Sequence, residues 1–159
     1  YMPDNLKQKE WVIMDNIIIR KMKKEDIEKC IDIEKSHNIK ILSKEILKDE
    51  LKLDSKYYLV ALLDNDIVGY TGISYVLDTA DIISIAVKKE FTRKGIASLL
   101  LNEIIKFCNE KNISRIFLEV RKSNTKAQSL YKKFGFTKIS ERKKYYNNIE
   151  DAYIFNKIL

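Results

Sequence analysis

Ile82-Ile83-Ser84-Ile85-Ala86-Val87, then Lys88-Lys89-Glu90-Phe91-Thr92, then Arg93-Lys94-Gly95-Ile96-Ala97-Ser98, is the stretch whose reading decides the fold. The apolar run from Ala80 to Val87 is strand-like. Lys94–Glu110 is apolar around most of its girth, as a helix packed on a sheet must be. The Arg93–Ser98 segment therefore opens a helix directly after a strand and a charged loop. A helix start carries backbone N–H groups without intrahelical partners and the positive end of the dipole. Glycine just inside it lets an anion approach the backbone, and Arg93 and Lys94 add positive charge. Tight packing of a helix on a sheet would produce the same glycine, so the stretch alone leaves both readings open.

The hydrophobic period keeps switching on either side. Ser114–Arg121 alternates apolar and polar residues, as a half-buried strand does. Thr125–Phe134 places Ala127, Leu130, Tyr131 and Phe134 on one helical face, and Gly135 is a fitting stop. Phe136–Arg142 and Asp151–Ile158 read as closing strands. Upstream, Tyr57–Leu63 and Ile67–Leu77 are strand-like and joined by Asp64-Asn65-Asp66, a hairpin turn. Two helices precede them: Glu25–Lys35, with Ile27, Cys30, Ile31 and Glu34 at helical spacing, and Ser43–Leu53, with Ser43 as its N-cap. Ile17–Met22 is a first short strand. This order of elements predicts an α/β fold built on a mixed sheet.

A chain of 159 residues fits one domain and can bury a sizeable core without metal or disulfide. Its single proline, Pro3, and four glycines leave no linker or repeat. Residues 1–13 read as an N-terminal extension and 14–159 as a single domain, Met14 being a natural start. No apolar run is long enough to span a bilayer and no signal-peptide pattern opens the sequence, so the expected compartment is the cytoplasm and no membrane partner is expected. Cys30 and Cys108 lack C-x-x-C spacing and have only His37 for company, so no metal is expected and both read as buried, reduced thiols. His37 itself reads as a surface-loop or helix-end residue. The net charge of +7 suits an anionic partner. The bases are 25 Lys against 5 Arg with no nucleic-acid-binding signature beside them, so no specific nucleic-acid partner is expected.

Two further positions carry chemistry. Glu119 lies in the apolar strand Phe117-Leu118-Glu119-Val120-Arg121, where a carboxylate is costly unless paired or used. By residue type alone, an ion pair with Arg121 on the same face is the favoured reading. Tyr131 points inward from its helix, either as a packed core ring or as a phenol kept for proton donation.

Taken in order, the strand, the Arg93-Lys94-Gly95-Ile96-Ala97 helix start, the Leu118-Glu119-Val120-Arg121-Lys122-Ser123-Asn124 segment and the Leu130–Phe136 segment resemble the GNAT N-acetyltransferases. Within that superfamily they look like the RimI group of protein N-terminal acetyltransferases, with Ile85-Ala86-Val87 and Tyr145-Tyr146 in matching places. The likeness covers about Met14 to the C-terminus. It implies the GNAT-type acyl-CoA N-acyltransferase fold, a central, mostly antiparallel sheet with one splayed parallel strand pair, flanked by helices. It also implies acetyl-CoA as co-substrate, its pyrophosphate on the backbone of Arg93, Lys94, Gly95, Ile96, Ala97 and Ser98. The pantetheine arm would pair with Ile85, Ala86 and Val87, and Asn124 would meet the thiol end. By the same likeness Glu119 is the base and Tyr131 the acid for direct attack of an amine on the thioester, and Tyr145 and Tyr146 bind the acceptor peptide.

The implied acceptor is the α-amino group of a protein, a ribosomal protein being the candidate. A small-molecule amine, or a catalytically silent acetyl-CoA-binding module, is the alternative. Two departures bear on this. Thr92 stands where the group often has Gln or Arg three residues before the glycine, and Ile39-Lys40-Ile41-Leu42-Ser43 stands where it often has Pro-Trp.

Overall fold

The computed structural model describes residues 12–14, 16–37, 43–146 and 150–159, the side chains of 12–14 and 144–146 excepted. The fold has two compact units: the chain up to Ile73 with Ser84–Ile104, and Ser74–Ile83 with Ile105–Leu159.

In the first unit, strand β1 (Val12–Met14) pairs antiparallel with β2 (Ile17–Lys21), and β2 with β3 (Lys56–Leu63), Ile19 standing opposite Ala61. β3 turns into β4 (Asp66–Val76) through two residues, Asp64 and Asn65, both left-handed at φ 50° and 70°. That is the type I′ hairpin, which Asp and Asn tolerate better than most residues. β5 (Thr79–Val87) follows β4 in the strand order. A 3₁₀ turn over Lys24–Asp26 leads into helix α1 (Ile27–Ser36). Asp26 anchors it, accepting from the Lys23 N–H at 2.7 Å and from the Arg20 guanidinium at 2.7 and 3.1 Å. Helix α2 (Lys44–Glu50) starts on the expected Ser43 cap, whose hydroxyl accepts from the Ile46 N–H.

Met22, Ile27, Cys30, Ile33, Leu47, Tyr58, Val60, Ile67, Tyr70 and Ala86 form one buried cluster of this unit. The start of helix α3 (Ile96–Glu110) packs closely on β4 at Gly69. There a Cβ would stand 3.0 Å from the Ala86 carbonyl oxygen and 3.3 Å from Ile96. A side chain at position 69 would require these neighbours to give by a few tenths of an ångström.

In the second unit the strand order is β5, β6 (Arg115–Arg121), β8 (Glu150–Ile158), β7 (Thr137–Tyr146). The β5–β6 pair is parallel over a short register, Thr79 opposite Arg115 to Asp81 opposite Phe117. β6 and β8 run antiparallel from Arg115 opposite Ile158 to Arg121 opposite Ala152, and β7 closes the edge against β8. Helix α4 (Thr125–Lys133) ends in a Schellman motif: the Phe136 N–H reaches the Tyr131 carbonyl and the Gly135 N–H that of Lys132. Gly135 holds φ at 90°, and the rings of Tyr131 and Phe136 meet at 5.9 Å, the apolar contact such caps carry.

Several boundaries differ from expectation; α1 begins at Ile27 rather than Glu25, after the 3₁₀ turn, and three others have a clear bearing on the site or the sheet. The long helix begins at Ile96 rather than Lys94, because Arg93 and Gly95 are both left-handed, at 68° and 79°. α2 stops at Glu50 rather than Leu53. β7 runs on to Tyr146, past the Arg142 expected, because its pairing with β8 resumes at Tyr146 opposite Glu150 after a register shift. The Lys-rich sequence there has no apolar period to announce a strand.

Candidate active site

The first unit carries the segments expected to hold the co-substrate. After a 3₁₀ turn at Lys89–Phe91 the chain runs exposed through Thr92–Gly95. The Leu99 N–H bonds the Gly95 carbonyl at 3.0 Å, the first helical bond of α3. The N–H groups of the residues before Leu99 therefore have no carbonyl four residues back within the helix. With Arg93 and Lys94 exposed beside them, these donors fit a diphosphate. On β5, Ala86 and Val87 are buried and Ile85 half-buried. The Val87 carbonyl accepts a hydrogen bond at 2.6 Å from Nε2 of His37, the residue that caps α1. A carbonyl can only accept, so that nitrogen carries the proton. His37 is a helix-end residue as expected, tied to β5.

Sequence reasoning missed the polar cluster behind β5. Glu34 is 6% exposed. Burial pushes its carboxyl up to about 7, with the Ser84 hydroxyl acting in the opposite direction. Tyr70 Oη donates to Ser84 Oγ at 3.4 Å, and Thr71 Oγ1 donates to the Ser84 carbonyl at 2.8 Å. Tyr58 gives its hydroxyl proton to Glu50, and burial followed by that bond raises its phenol far above the usual range. The available signal was the place of Glu34 in the helical pattern, one turn beyond Cys30 on a face otherwise apolar.

The second unit carries the expected acid and base. Glu119 sits in mid-β6 opposite Ile154, and its carboxylate pairs with Arg142 of β7 at 3.3 Å. The expected Glu119–Arg121 pair is thereby corrected: Arg121 lies 3.8 Å from Glu150. Arg142 reaches Glu119 from two strands away, its long side chain spanning the intervening β8. Tyr131 is 8% exposed, its ring between Phe136 and Phe155 at 5.9 and 6.4 Å. Asn124 caps α4, its Oδ1 accepting from the Ala127 N–H at 3.1 Å, so a ligand contact would fall to Nδ2. Both cysteines are free and buried as expected; burial pushes Cys108 up to about 12 and Cys30 higher still.

The sequence pattern described as "Acetyltransferase (GNAT) family" matches residues 20–136. The chain belongs to that family. A Bacillus subtilis protein, a candidate [ribosomal protein bS18]-alanine N-acetyltransferase, is 41% identical over 139 residues, 86% of this chain and 91% of that protein. An N-alpha-acetyltransferase of Saccharolobus solfataricus is 38% identical over 124 residues, 70% of this chain and 74% of its own. The crystal structure of Ard1 from Thermoplasma volcanium superposes with a TM-score of 0.83, at 28% identity over 91% of this chain and 98% of that one. The crystal structure of the Escherichia coli ribosomal-protein-S18-alanine N-acetyltransferase superposes with a TM-score of 0.82, at 24% identity over 89% and 93%.

This GNAT protein is an acetyl-CoA-dependent N-acetyltransferase of RimI-like type, and its mixed sheet with one parallel pair is the GNAT fold. Of the expected site residues, Ile85–Val87 and Arg93–Ser98 fall in the first unit, and Glu119, Asn124 and Tyr131 in the second. Tyr145 and Tyr146 lie on β7, their side chains outside the described residues, as are Ile39–Leu42 altogether. Among the described residues no helix is long and apolar enough to cross a membrane.

Proposed function

We propose that this GNAT enzyme acetylates the N-terminal α-amino group of a protein, with a ribosomal protein as the candidate acceptor. The observation that carries this reading is the pair of relatives at 41% and 38% identity, both named for N-terminal or α-amino acetylation. Acetyl-CoA supplies the acetyl group as a thioester. In this reading Glu119 takes a proton from the attacking amine, a role supported by its carboxylate being partly open to solvent on an otherwise apolar strand. Tyr131 gives its phenolic proton to the departing sulfur; its enclosure by Phe136 and Phe155 holds the ring in one orientation. The backbone of Arg93–Ser98 holds the diphosphate, Ile85–Val87 the pantetheine arm, and Asn124 the thiol end. Tyr145 and Tyr146 clasp the acceptor peptide.

The test uses two peptides of one sequence, the first with a free N-terminal alanine and a blocked lysine, the second with a blocked N-terminus and a free lysine. Transfer to the first alone is expected. Transfer to neither, with acetyl-CoA still bound, would move the acceptor to a small amine or make the chain a sensor.

A further inference from the structure

A trans peptide unit is flat and sends its C=O and its N–H in opposite directions. The unit that joins Val87 to Lys88 is held at both of those ends. Its N–H, on Lys88, donates to the Val68 carbonyl of β4 at 2.8 Å, and its C=O, on Val87, accepts from His37 Nε2 at 2.6 Å. Among the described residues no peptide bond is cis, so the two bonds pull on one rigid plane from opposite sides.

The side that His37 holds is the one turned away from β4. There the β5–β6 register covers Thr79–Asp81 and, among the described residues, goes no further. A strand end held along one edge opens more readily than one held along two. His37 supplies the second hold. It is half-buried at the C-terminal end of α1, where its own N–H bonds the Glu34 carbonyl at 2.9 Å, so the ring is delivered from a fixed backbone. Cys30 and Ile33 of the same helix share a buried cluster with Ala86, which keeps α1 against β5.

The clamp sits between two segments of the first unit. Upstream is Ile85–Val87, proposed above to hold the pantetheine arm. Downstream, the 3₁₀ turn at Lys89–Phe91 leads to Arg93–Ser98, proposed above to hold the diphosphate. The Phe91 N–H bonds the Lys88 carbonyl at 2.9 Å, so that turn starts from the clamped residue. In acetyl-CoA the pantetheine chain fixes how far the thioester can stand from the diphosphate. One ligand engages both segments only while their separation matches its length. We propose that His37 is a positioning residue for acetyl-CoA: by fixing the Val87–Lys88 peptide it keeps the arm segment and the diphosphate loop at that separation.

The hold needs a donor and no particular charge. Nε2 carries a proton in the neutral tautomer that makes this bond and in the imidazolium alike. A glutamine amide at position 37 offers an N–H at a similar reach, whereas asparagine is a methylene shorter.

This inference rests on the placement of acetyl-CoA given above and not on the identity of the acceptor. The experiment measures, by isothermal titration calorimetry on the full chain, the affinity for acetyl-CoA and for a coenzyme A fragment that ends at the diphosphate. In His37→Ala, acetyl-CoA should bind about tenfold more weakly and the fragment as in the wild type. His37→Gln should bind acetyl-CoA within about twofold of the wild type. If His37→Ala does not fold, His37→Asn takes its place. Unchanged acetyl-CoA affinity in the variant would overturn the inference. So would an equal loss for the fragment, which is what a merely structural histidine would give. Hydrogen exchange of the wild type with and without acetyl-CoA tests the placement separately, protection across residues 84–98 being expected on binding. Without that protection the placement is overturned and this inference with it; with it, an unaffected variant overturns this inference alone.

Discussion

Glutamine at position 119 preserves the shape of the side chain and removes its basicity. Glu119→Gln should therefore lose most turnover, about a hundredfold or more, while binding acetyl-CoA normally. Near-normal turnover in a steady-state assay would take Glu119 out of the mechanism. Tyr131→Phe keeps the ring packed between Phe136 and Phe155 and deletes only the hydroxyl. A milder loss, about tenfold, is expected, with thiol release slowed in single-turnover experiments. An unchanged rate would make Tyr131 a core ring. At this scale the sequence was informative about residue types and silent about partners. Glu119 stood out as a carboxylate in an apolar strand, but its pairing with Arg142 depends on β7 lying beyond β8 in the sheet, which no local pattern reveals. Glu34 was visible on the apolar side of a helix, yet its environment is made by Ser84, 50 positions away in the chain.

The elements were the most legible part, because period and caps are local. Ser43 was read as an N-cap and is one, bonding the Ile46 N–H at 3.2 Å. Because α2 spans only Lys44–Glu50, its start rests on this cap and on the exposed Lys44–Glu28 ion pair. Ser43→Ala should cost about 1 kcal/mol in urea unfolding, with Ser43→Asp restoring it. One of the helix starts misplaced by sequence is instructive. Lys94 and Gly95 continue the polar-to-apolar pattern of α3, but the backbone at Arg93 and Gly95 turns left-handed before the helix begins. A Cβ on Gly95 would meet nothing within 4 Å, so any penalty for Gly95→Ala comes from the dihedral alone. That penalty should be about 1–2 kcal/mol, read as a lowered urea midpoint with an unchanged m-value.

For the molecule as a whole, two buried acids, Asp26 at the cap of α1 and Glu34 within it, pull the pH dependence of stability in opposite directions. Burial tends to raise Asp26, but the Arg20 hydrogen bond, the Lys23 N–H and the Arg20 charge outweigh it and hold the carboxyl below 3.8. Its contribution is present above the unfolded value and is lost as pH falls through the lowered folded one. Glu34 behaves inversely. Below 4.5 it is protonated folded or unfolded; as pH rises to about 7 the unfolded chain releases that proton and the folded chain keeps it. Stability falls across this window by on the order of 3 kcal/mol. Glu34→Gln should thus match the wild type in urea unfolding near pH 4 and exceed it near pH 8. Equal stability at both pH values would mean that Glu34 is not buried in solution.

The bond from His37 to the Val87 carbonyl sets a timetable. A chain made from its N-terminus cannot finish seating α1 until residue 87 has appeared, 50 residues after His37. At about 5–20 residues per second, that is a wait of roughly 3–10 seconds on the ribosome. Through this interval the face carrying Cys30, sealed in the finished protein, has yet to be covered by Ala86 of β5. Nascent chains stalled short of Val87 are the ones in which that thiol should still answer to an alkylating reagent.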